Sequence, residues 1–179
     1  MRIHTPRPHR WLLALIIVIC IATLPALERP FMLLAEADYA ELRQRAERSP
    51  WDQMAADAIS DATTLDYDAS VADYQDRAER ARVIAASCAL AYILDPDHAA
   101  DYVARVESEL YTGLDDLRTE KQDKKKKEWA YNVMPAGTAF VAYLCLDIMY
   151  DDLDPTKRSA MEADCDYIAD NHRDHTWDA

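Results

Sequence analysis

The chain has 179 residues, half of them hydrophobic and 30% charged, a mixture that can bury a core and that excludes intrinsic disorder. Its formal net charge of −13 at neutral pH excludes nucleic acid and acidic membrane surfaces as general partners, because both are polyanions. Only two glycines, Gly113 and Gly137, are present, too few to supply the positive-φ residues of tight β-hairpins, so the expected fold class is all-α.

In chain order, Arg2, Arg7 and Arg10 precede an apolar run from Trp11 to Ala22 that continues through Thr23 and Leu24 to Pro25. A basic start and an apolar stretch below the ~20 residues of a spanning helix read as a signal peptide over residues 1–26. A retained anchor is the alternative, since Leu24-Pro25-Ala26 and Ala22-Thr23-Leu24 are both imperfect cleavage contexts. Cys20 follows Val18-Ile19, where lipid attachment wants a small residue. The expected location is periplasmic or extracellular, with membrane contact only through this signal. Cys88, Cys145 and Cys165 would remain after cleavage, an odd set without a Cys-x-x-Cys pair, and read as small buried hydrophobes.

Beyond the signal, Ala37-Asp38 opens a short helix with Tyr39, Leu42 and Ala46 at helical spacing, which Ser49-Pro50 ends. Ser49 is expected to cap a second helix with Pro50 in its first position and Trp51, Met54, Ala55, Ala58 and Ile59 on one face, fading near Thr63-Thr64. From about Ser70 to Leu94 runs the strongest helix, charged at first through Asp76-Arg77 and Glu79-Arg80 and then almost wholly apolar from Val83 to Leu94, the mark of a helix buried all round. Asp95-Pro96 stops it and caps an outer helix from Asp97 to about Leu110. The lysine-rich stretch Glu120 to Glu128 reads as a solvated connection, and as the basic cluster most able to touch an anionic polymer. The grammar then repeats: an apolar helix from Val133 to Tyr150, Asp154-Pro155, and an outer helix to about Asp170. Met134, Met149 and Met161 read as core, and Tyr92, Tyr143 and Tyr150 as structural. Two hairpins of buried and half-exposed helices imply a helical-hairpin repeat.

Several of these stretches resemble a known family. Arg29-Pro30-Phe31-Met32-Leu33-Leu34 followed by Ala37 to Arg43 is similar to the opening of heparinase II/III-like and alginate-lyase-like polysaccharide lyases. Ala89 to Asp95 resembles an inner helix of that family, and Ala142 to Tyr150 with Leu153 to Arg158 resembles a later inner helix and the start of the next outer one. The resemblance runs from Arg29 to about Trp177 and implies part of an incomplete (α/α) toroid over residues 29–179, cut short at its C-terminal end. Helical-toroid hydrolases of unsaturated glucuronides share such patterns.

What the resemblance implies chemically is β-elimination on a uronate-containing, anionic polysaccharide, with no cofactor. A donor pair neutralises the sugar carboxylate, a Tyr or His removes the adjacent ring proton, and an acid protonates the leaving oxygen. Asn171-His172 is the Asn-His pair in the expected place, although Asp170 precedes it where the family carries a further Asn. The competing reading puts Asn171 at a helix C-terminus with His172 at the negative end of the dipole. Trp129, Tyr131 and Trp177 are candidate sugar-stacking residues, with loop packing as the alternative. His172 and His175 lack an arranged third ligand, so no metal is expected. The segment of the family that bears the catalytic Tyr lies beyond this chain, so the fragment alone is expected to be inactive. A non-catalytic helical-repeat binding or scaffold module is the alternative, and a toroid hydrolase using Asp147 is a third reading.

Overall fold

A computed structural model describes residues 35–123 and 133–176, with side chains described over 35–120 and 135–169. Every regular element among these residues is helical. A 3-10 turn, Glu36–Asp38, leads into α1 (Tyr39–Ala46), followed by α2 (Trp51–Thr64) and α3 (Tyr74–Leu94). After a second 3-10 turn, Pro96–His98, comes α4, a continuous rod of Ala99–Arg105, a π-helical turn Val106–Leu110, and Tyr111–Asp123. The last two are α5 (Val133–Ile148) and α6 (Pro155–Thr176).

The two Asp-Pro turns differ in what the aspartate does. Asp154 Oδ1 accepts from the backbone N–H groups of Thr156 at 2.9 Å and Lys157 at 3.0 Å, satisfying two of the orphan donors at the start of α6. Asp95 makes no such cap. Its carboxylate instead accepts from the Tyr102 hydroxyl at 2.8 Å and pairs with His98 Nδ1 at 2.9 Å. Pro50 rather than Ser49 occupies the N-cap of α2, also without a side-chain bond. The cap of α3 is Asp73, which accepts from Gln75 N at 2.7 Å, so that helix begins at Tyr74 and not near Ser70.

Two layers result. In the inner layer α3 and α5 pack side by side. They run parallel, because Thr138 Oγ1 near the start of α5 donates to Ala78 O near the start of α3 at 2.8 Å, while Tyr92 at the far end of α3 reaches Asp152 just beyond α5. Both ties join residues 60 positions apart, so the hairpins superimpose along the chain with one fixed offset. In the outer layer α4 lies against α6, held by Arg118 Nε to Asp164 Oδ1 at 2.6 Å and by Lys157 Nζ to Glu107 O at 3.2 Å. The core between the layers contains Ile84, Cys88, Tyr102, Val106, Leu146, Met149, Met161, Cys165 and Ile168. Cys88, Cys145 and Cys165 are free and fully buried, as small hydrophobes.

Three further readings of the sequence are corrected by the structure. The outer helix α4 does not stop near Leu110, because Leu110, Leu114 and Leu117 carry one buried stripe onward to Asp123. Glu120, read as part of a solvated connection, instead pairs with the buried guanidinium of Arg77, which also binds Asp116 at 3.0 Å. On α2, Trp51 and Met54 are more than half exposed, and Ala62 is the fully buried residue of that helix.

The two glycines, both inside helices, make opposite predictions. A Cβ on Gly113 would lie 3.0 Å from the Tyr67 ring and 3.2 Å from Ala81 Cβ. That ring cannot easily withdraw, since Tyr67 N donates to Glu109 at 2.8 Å and its hydroxyl to Asp116 at 2.6 Å. Overpacking costs ~1–3 kcal/mol against ~1 kcal/mol gained in helix propensity, so Gly113→Ala should lower the urea midpoint. Gly137 has nothing within 4 Å of the added carbon, so Gly137→Ala should raise it by up to ~1 kcal/mol of stability. Equal shifts in both variants would contradict this packing.

Candidate functional site

Where the parallel inner helices end, their C-termini open onto a cleft of about 300 Å³. Glu36 and Tyr39 come to it from the first 3-10 turn and α1, Tyr92 from the last turn of α3, and Asp147 with Ile148 from the end of α5. Tyr150, Asp151 and Asp152 from the following turn complete its wall. Four carboxylates therefore line one small opening. The C-terminal ends of α3 and α5 add their partial negative charges, since the last carbonyls of each helix point the same way.

The basic groups nearby are turned to structural tasks. Arg43 Nε donates to Ile93 O at 2.7 Å, one of the terminal carbonyls of α3. The Arg158 guanidinium lies 3.5 Å from the centroid of the Tyr150 ring and donates to the Tyr150 carbonyl, covering one face of that ring. Neither arginine lines the cleft.

Four tyrosine hydroxyls among the described residues follow one pattern. Tyr67 donates to Asp116 at 2.6 Å, Tyr92 to Asp152 at 2.6 Å, Tyr102 to Asp95 at 2.8 Å, and Tyr143 to Asp166. Tyr39 breaks it. The residue is only 6% exposed, and its hydroxyl is buried without a hydrogen-bond partner among the described residues. An orphaned buried hydroxyl costs ~1–3 kcal/mol of desolvation, and nothing among the described residues offsets it. Burial first, then the charges of Glu36 and Asp147, push the Tyr39 phenol up to about 12, while Arg43 opposes them. Two cleft carboxylates thus act directly on this hydroxyl and hold it neutral.

Chemically, the cleft offers carboxylates and aromatic rings in its wall. Asp147 is 4% exposed in the wall of the same opening. Among the described residues no group of three or more His, Cys, Asp or Glu is arranged to hold a metal ion.

Of the sequence candidates, Trp129, Tyr131 and Trp177 lie outside the described residues. Asn171 and His172 lie on α6, with their side chains outside the described set. The helix continues past Asp170 to Thr176, which corrects the expectation that Asn171 ends it. The apolar run Trp11 to Leu24 and the proposed cleavage contexts are likewise outside, and among the described residues no helix is long and apolar enough to cross a membrane. The cleft itself was missed in the sequence, apart from Asp147, because its residues come from three separate stretches, 36–39, 92 and 147–152. No protein-family model, curated protein or solved structure matches this chain.

Two predictions follow from the phenols. Tyr92→Phe should cost ~0.5–1.5 kcal/mol and leave Asp152 without its donor, whereas Tyr39→Phe should leave the thermal midpoint unchanged or raise it. A loss of stability in Tyr39→Phe as large as that in Tyr92→Phe would show that the hydroxyl is bonded in the free protein. In alkali, Tyr39, Tyr67, Tyr92, Tyr102 and Tyr143 all hold their protons above the unfolded value of 10.0, chiefly through burial. The unfolded chain then binds fewer protons than the native one, so their contribution is intact below pH 10 and falls as pH rises through about 12. Helicity and phenolate absorbance should therefore change together; full phenolate absorbance with helicity intact would contradict it.

Proposed function

We propose that this chain is an exported, non-catalytic helical-hairpin module that binds a glycan in the cleft at the ends of α3 and α5. The observation that carries the reading is the cleft's composition. Tyrosine rings present flat, apolar faces to a sugar ring, and carboxylates accept pairs of hydroxyl hydrogen bonds. At about 300 Å³ the cleft is at the small end of ligand pockets, roughly 300–1,000 Å³, and suits a short segment rather than a long chain. The layering supports the architectural half of the proposal: inner helices beside inner, outer beside outer, repeated with one offset, as in part of an (α/α) toroid.

Polysaccharide lyase is the second reading, favoured by the two hairpins that each turn at Asp-Pro. In it, Asn171 and His172 neutralise the uronate carboxylate, while Trp129, Tyr131 and Trp177 hold the anionic polysaccharide. That chemistry belongs elsewhere than in the acidic cleft, where four carboxylates would repel a uronate. A glycan panel probed with the full chain separates the two. The binding reading expects retained glycans whose affinity falls at least about fivefold in Asp151→Ala, an exposed turn residue, with the thermal midpoint unchanged. Retention of no glycan would contradict it, and release of unsaturated uronate products would replace it with the lyase.

A further inference from the structure

Among the described residues four large apolar side chains are exposed, Trp51, Met54, Leu90 and Phe140, and the first three meet in one place. They line a shallow groove of about 330 Å³, drawn from Leu42 on α1, Trp51 and Met54 on α2, and Leu90 and Leu94 on α3. Single exposed apolar residues need no explanation, but several gathered in one patch mark an interaction site. The groove is separate from the cleft: α1 gives Tyr39 to the cleft and Leu42 and Arg45 to the groove.

Two features make this patch complementary to itself. Trp51, 53% exposed, and Met54, 56% exposed, border the opening that Leu42, Leu90 and Leu94 leave, so plug and socket belong to one surface. Charge follows the same rule. Arg45 brings an exposed guanidinium into the lining from α1, while Asp57, three residues after Met54 and so on the same flank of α2, brings an exposed carboxylate. A patch that carries both halves of a contact is what an isologous twofold dimer requires, because each contact between the two copies then occurs twice. We propose that two copies of this chain pair through this groove about a twofold axis, each setting Trp51 into the groove of the other, with Arg45 of one copy facing Asp57 of its partner. Eight residues line the groove, against the roughly 20–30 that each side of a standard interface uses, so the dimer is weak and dissociates on dilution. The pairing goes beyond the glycan-binding reading and does not depend on what the cleft holds.

The test is sedimentation velocity of the full chain over about a hundredfold range of concentration. The proposal expects a monomer–dimer equilibrium whose dissociation constant rises at least about tenfold in Trp51→Ser, at an unchanged thermal midpoint, because that side chain is more than half exposed in the single chain. Phe140→Ser removes a comparably exposed ring from α5 and should leave the constant unchanged. Arg45→Glu should weaken pairing about fivefold by setting like charges against each other, and Asp57→Arg added to it should restore pairing. A monomer at every concentration overturns the proposal and leaves the groove to another segment of the chain or to a different protein. Association that Trp51→Ser does not change, such as through the apolar run Trp11 to Ala22, also overturns it. So does a loss of pairing in Phe140→Ser as large as in Trp51→Ser, or a double variant that pairs no better than Arg45→Glu alone.

Discussion

The parallel contact between α3 and α5 is the constraint on which the other helices depend. Both helices carry small buried residues, Ala78, Ala81, Ala85 and Cys88 on α3 and Ala139, Ala142 and Cys145 on α5, all essentially inaccessible to solvent. Small side chains let two helices approach closely, and one buried hydrogen bond, Thr138 to Ala78, fixes their register. The remaining helices attach to this pair: α1, α2 and α4 pack on α3, and α6 packs on α5. The cleft exists because the two helices end together, on the same side.

Polar contacts then lock the layers in a way that shapes the surface. Arg77, only 7% exposed, sits between Asp116, Glu120 and the Val71 carbonyl, so a buried cation at the start of α3 binds it to α4. Arg105 reaches Asp66 and the Leu65 carbonyl, and Arg118 joins α4 to Asp164 of α6. Breaking such a buried pair by removing one partner is costly because a charge is left uncompensated. With several arginines used internally, the surplus of acids behind the net charge of −13 is left at the surface and in the cleft. Function on this reading follows from charge bookkeeping within the fold.

The sequence was most legible in its apolar stretches. These announced α3 and α5, and the repeated Asp-Pro pairs marked both hairpin turns, but neither helix is buried on every side as expected: Leu90 on α3 and Phe140 on α5 are exposed. The second half of α4 was hidden by charge density around Leu114 and Leu117, although their spacing from Leu110 is helical. On α2 the amphipathic face was visible but its burial was not: Trp51 and Met54 border a shallow apolar groove with Leu42, Leu90 and Leu94 instead of entering the core. The tyrosine–aspartate bonds were out of reach, since Tyr92 to Asp152 and Tyr67 to Asp116 depend on pairings that local periodicity does not encode. An orphan hydroxyl is harder still, being defined by what tertiary structure fails to place beside it.

Native-state hydrogen exchange, read residue by residue, tests the dependence on α3 and α5 most directly. If their contact organises the molecule, the amides in the middle of both helices, around Ala85 and Ala142, exchange slowest and only through global unfolding, while α1 and α2 open earlier. Slowest exchange in α2 or α6, or protection of α3 that is lost independently of α5, would contradict it.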